Sequence, residues 1–240
     1  VRVQISLYPK DLPILSDIVS AIEIAKSMTQ HWHTKEAYVH LYTLPSHRAL
    51  EQALHTRLPW VRAWAKYDHI LLQSPQTWKT RYYQWSLTKL LAHELTHVLM
   101  YQLCCRRRTW ARQRIPLWFR EGMASVTAQQ QTLRYPLHQL RRTFQKRTGR
   151  AIYANLENPR VWMHHQKLVY SYSHWMFTHL QKSVGIHRLR MLLEKMRQGM
   201  TFSSAFNQHT GLSERAFLHQ FQSQFLHAQN VAHTAPHTSE

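Results

Sequence analysis

Residues 85–103 read WSLTKLLAHELTHVLMYQL. Leu87, Leu90, Leu91, Leu95, Val98, Leu99 and Leu103 recur there at helical steps, uninterrupted by glycine or proline, and this spacing predicts a buried helix. Enclosed in it are His93, Glu94 and His97. Histidines four apart on a helix are separated by about 40° around the axis and one turn along it, so both imidazoles reach one ion. Glu94 then lies beside that ion without needing to bind it, placed to take a proton from water.

The spelling is not decisive by itself. With 19 histidines in 240 residues, random placement gives HExxH with a chance of roughly 0.06. Context adds two arguments. On a buried helix, an unpaired Glu and two His are costly to desolvate, and ligand duty removes that cost. A catalytic zinc site also wants a third protein ligand. Between Leu95 and Leu156 the only acidic residue is Glu121, at the centre of residues 116–124, PLWFREGMA. Pro116 suits the first turn of a second helix, expected over 117–131, and Gly122 would let it approach the first one closely. The plain alternative makes Glu121 the ion-pair partner of a neighbouring arginine.

Working outward, residues 1–7 alternate as a half-buried strand does, and further strands are expected at 37–43 and 67–73. Helices are expected at 12–30, 47–58, 136–147, 168–183, 186–198, 202–209 and 213–228, the last four separated by Gly185, Gly199 and Gly211. The expected fold class is α+β and mostly helical. An N-terminal α/β lobe (1–84) with a small mixed sheet precedes a helical catalytic lobe (85–229) and a disordered tail (230–240).

HELTH followed by LWFREGMA resembles the gluzincin metallopeptidases, the thermolysin-like branch of the zincins, and especially bacterial members with a W-x-x-E-G-x-A second motif. The likeness covers roughly residues 67–226 and is most specific in the two metal motifs. It implies a zincin-like fold, with His93, His97 and Glu121 as zinc ligands, Glu94 as general base and a peptide or protein substrate. It further implies that the strand at 67–73 is the sheet edge aligning that substrate, and that Tyr170, with Tyr172 in reserve, stabilises the oxyanion. A periplasmic or secreted location, with a leader absent from this chain, is also implied. One position departs from the pattern: thermolysin has an Asp four residues after the ligand Glu to orient a histidine, and here Ser125 stands there. Another partner must therefore hold that imidazole.

The formal charge of +19 suits an acidic substrate, an anionic surface or nucleic acid. Arginines at 106–108, 112 and 114 form one basic cluster, and Arg141, Arg142, Lys146, Arg147 and Arg150 another, which as charge runs read first as solvated surface. Two other functions stay open: a basic nucleic-acid-associated protein, the less favoured, and a peptidase-like scaffold that binds zinc without cleaving. Cys104 and Cys105 are adjacent and build no disulfide framework. No stretch approaches the ~18 apolar residues of a spanning helix.

Overall fold

The computed structural model describes residues 1–78, 83–110 and 114–226, so Arg112 and the tail expected from Asn230 lie outside the described residues. The chain is α+β and mostly helical. It opens with strand β1 (Arg2–Ser6), helix α1 (Leu15–Met28), strand β2 (Tyr38–Leu44), helix α2 (His47–Leu54) and strands β3 (Ala63–Ala65) and β4 (His69–Gln73). The strands form one mixed sheet in the order β1-β2-β4-β3, with β3 antiparallel to β4 and the other pairs parallel. Val39, Leu41 and Thr43 alternate inward from β2, as period-two burial requires.

The strand expected at 67–73 is thus internal, paired on both sides. The edges are β1 and β3, and the three residues of β3 are too few to carry a periodic signal. Helix α1 starts at Leu15 rather than residue 12, because a 3-10 turn holding Pro13 occupies Pro9–Ile14 and the residue before a proline avoids the α conformation. Its buried face, Ile18, Ala21, Ile22 and Ala25, packs against the long helix α3 (Tyr83–Cys104).

Helix α4 (Leu117–Thr127) follows, then α5 (Leu137–Gln145), α6 (Arg147–Ala154), α7 (Pro159–His164), α8 (Gln166–Val184), α9 (Ile186–Arg197), α10 (Phe202–Thr210) and α11 (Glu214–Phe221). The helix expected at 136–147 ends at Gln145, where extended backbone at Lys146 separates α5 from α6. Gly185, Gly199 and Gly211 all carry positive φ between the later helices, as their placement predicted.

Gly122 does permit a close approach, but to α8 and not to α3. A Cβ there would lie 2.3 Å from the Ser173 carbonyl oxygen and 2.7 Å from Phe177 Cβ. This contact seats α4 against α8 and drives Trp118, Phe119 and Met123 into the core, where each large side chain contributes roughly 1.5–3 kcal/mol by leaving water. The indole N–H of Trp118 is not stranded there, since it donates to Glu214 Oε1 at 2.8 Å. The N–H groups of Leu117 and Trp118 donate to the Glu157 carboxylate and so tie down the start of α4. No helix among the described residues is long and apolar enough to cross a membrane.

Candidate metal centre

Helix α3 divides its residues between two surroundings. Leu87, Leu91, Leu95, Val98 and Leu99 are buried in the core. Lys89, Leu90, His93, Glu94, His97 and Tyr101, spaced by turns on the other side, line a cleft of about 1030 Å3. Across it stand Glu121 from α4, Gln130 and Arg134 from the segment after α4, and Tyr170 from α8; β3 forms one wall.

His93, His97 and Glu121 meet at the floor. The two Nε2 atoms are 3.1 Å apart, and Glu121 Oε2 lies 3.3 Å from the first and 3.4 Å from the second. Donors bonded at ~2.0–2.2 Å to one tetrahedral cation sit about 3.3–3.6 Å apart, close to this spacing. All three residues are buried, and together they can hold a metal ion.

Hydrogen bonds behind the donors fix their chemistry. Gln130 Oε1 accepts from Arg134 Nη2 at 2.7 Å and lies 3.2 Å from His93 Nδ1. An amide oxygen only accepts, so Nδ1 carries the proton and the His93 Nε2 lone pair faces Glu121 and His97. This supplies the partner that the Ser125 departure called for. Ser125 itself accepts from Arg134 Nε at 3.0 Å and pairs with His174 Nδ1 at 3.1 Å. Gln130 can reach back because α4 stops at Thr127 rather than running on to 131, and Gln129 turns the chain with a φ of 49°. His97 Nδ1 is buried and finds no hydrogen-bond partner among the described residues.

The two carboxylates are held in opposite states. Burial pushes Glu94 up, against the charges of His93 and His97 and a hydrogen bond from the Ala65 backbone, and the nearby Glu121 raises it further. Burial also acts to raise Glu121, but the adjacent His97 and His93 imidazoles and the Arg120 guanidinium outweigh it and hold the group well below the usual carboxylate range. Arg120 Nε donates to Glu121 Oε1 at 3.2 Å, on the side away from the histidines. Paired carboxylates pushed apart in this way suit one to bind a cation and the other to carry a proton.

No protein-family model, curated protein or solved structure matches this chain.

The five residues singled out in the sequence converge, with Tyr170 in the cleft, its ring centroid 6.4 Å from that of His93 and its hydroxyl kept protonated chiefly by burial. The Arg134 guanidinium sits 4.9 Å from the Tyr170 centroid. Tyr172 is separated from the site, fully buried in the core with its hydroxyl directed at the Gly149 carbonyl. Sequence reading missed Gln130, Arg134, Arg120 and Tyr101. Tyr101 carried a signal, four residues beyond His97 in the same stripe; Gln130 and Arg134 carried none, because their positions follow from a loop.

Proposed function

We propose that the protein is a zinc metallopeptidase with a zincin-like catalytic arrangement. One juxtaposition carries the reading. A buried carboxylate, Glu94, sits next to two histidines and a second carboxylate at metal-ligand spacing, on the floor of a cleft walled by an open sheet edge. The donor set of two imidazoles and one carboxylate, with the cleft on its free side, matches catalytic zinc sites, which keep an open position.

His93, His97 and Glu121 would hold the ion, which supplies a water of lowered pKa and a Lewis acid for the scissile carbonyl. The protein's own residues do the rest. The backbone of β3 pairs with an extended peptide and sets its register along the cleft. Glu94 takes a proton from the attacking water and returns it to the leaving amine; its raised pKa strengthens it as the base that takes the proton. The Tyr170 hydroxyl, kept protonated by burial, donates to the oxyanion as charge develops there. Gln130 holds His93 in the tautomer that offers Nε2.

Metal analysis of the purified protein, joined to cleavage of a peptide library with and without chelator, tests this. Stoichiometric zinc and chelator-sensitive cleavage are the expected results. A protein that binds no zinc, or binds it and cuts no peptide, would overturn the proposal.

A further inference from the structure

The walls of the cleft carry a lopsided charge. Among the described residues lining it are five cations, Arg62, Lys89, Arg120, Arg134 and Lys167, each from a different element or loop. The only acids are Glu94 and Glu121, both committed to the metal centre. The imbalance extends past the rim: residues 122–193 hold eleven Lys and Arg against one acid, Glu157, whose carboxylate is engaged by the start of α4.

Two of the cations, Arg134 and Lys167, stand beside Tyr170. Arg134 lies over the Tyr170 ring, and Lys167, exposed on α8, lies one turn before Tyr170 with its Nζ 4.5 Å from the Tyr135 ring centroid. Arg134 and Lys167 are thus oriented by aromatic faces and amide or hydroxyl oxygens, contacts that leave their charge uncancelled. One helical turn is about 5.4 Å, and an extended chain advances about 3.3 Å per residue. These cations therefore meet a bound peptide within about two residues of the scissile bond.

We infer that the cleft selects peptides bearing an acidic side chain within two residues of the bond to be cut, with Lys167 and Arg134 as the specificity-determining pair. The inference rests on the peptidase reading for the place of the scissile bond. Charge focused by low-dielectric walls raises the local concentration of such a ligand and stabilises it once bound.

The test uses zinc-loaded protein and two peptides identical except for Glu or Gln at one position, each end-labelled with the same uncharged dye. Binding is read by fluorescence anisotropy, and cleavage of the same peptides is followed separately. The Glu peptide should bind about tenfold tighter at low salt, and 1 M salt, with a screening length of about 3 Å, should shrink the difference. Lys167→Glu should remove or reverse the preference, whereas Arg150→Gln, on the outer basic face, should keep it. Equal binding of the two peptides overturns the inference, as does a loss with Arg150→Gln as large as with Lys167→Glu, which would make the effect one of net charge. Cleavage of neither peptide counts against the peptidase reading alone, because the affinity comparison stands without it.

Discussion

Gln130 Oε1 and His93 Nδ1 lie 3.2 Å apart across the junction between the loop after α4 and the long helix α3. An amide, itself held by Arg134, here does the orienting that a carboxylate does in many metal sites. Being neutral, it leaves the imidazole less electron-rich than a carboxylate would, while fixing the same tautomer.

Gln130→Leu should therefore weaken metal binding about 10- to 100-fold, the usual effect of losing a group behind a ligand. Competition against a chelator of known affinity measures it. Circular dichroism should be unchanged, and undiminished metal affinity would refute the orienting role.

Glu94→Gln should abolish peptide cleavage and leave close to one metal ion per chain, since Glu94 stands beside the three donors without being one of them. The metal-to-protein ratio after dialysis decides. If the ion leaves with the activity, Glu94 is structural.

Tyr170→Phe should lower kcat and leave KM nearly as it was, because its hydroxyl is assigned to charge that exists only in the transition state. A drop of roughly 10- to 1000-fold is expected. A rise in KM at constant kcat would make Tyr170 a residue of substrate binding only.

Gly122→Ala should destabilise the fold by about 3 kcal/mol, although alanine is the better helix former by about 1 kcal/mol. The new methyl would overlap the Ser173 carbonyl and Phe177, and backbone cannot swing aside as a flexible side chain can. Denaturant unfolding reads this directly; an unchanged midpoint would mean that α4 and α8 separate freely.

His174 should make the protein acid-sensitive. Burial, helped by the charge of Arg134, pushes its pKa down to about 4, so the folded chain resists a proton that the unfolded chain accepts below about 6.5. Its contribution to stability is complete above pH 6.5 and is lost as the pH falls toward 4, roughly 3 kcal/mol in all. His174→Asn should flatten the fall in urea midpoint between pH 7 and 4.5. A slope equal to the parent's would assign the acid sensitivity elsewhere.

The sequence made some of this plain and hid the rest for physical reasons. Helix α3 was legible because its apolar period runs without interruption through the metal motif, and Glu121 because no other carboxylate lies near it in the chain. Gln130 was not, since residues 129–131 are all glutamine and only the positive φ at Gln129 decides which one faces His93. The edge strand was assigned to 67–73 because five or more residues reveal a period and three do not; the sheet edge that lines the cleft is formed by Ala63, Trp64 and Ala65. Gly122 announced a tight contact without naming its partner, because small size records that something approaches and says nothing of what.

The brevity of β3 has a consequence for which proteins such a cleft could attack. Three residues, paired on one side only, can offer a guest chain just a few main-chain bonds, each worth about 1 kcal/mol net. That is too little to strip a strand or helix from its native partners. Termini, loops and chains caught before they finish folding would be taken, and well-folded neighbours left alone, so protection would come from a target's conformation as much as from its composition.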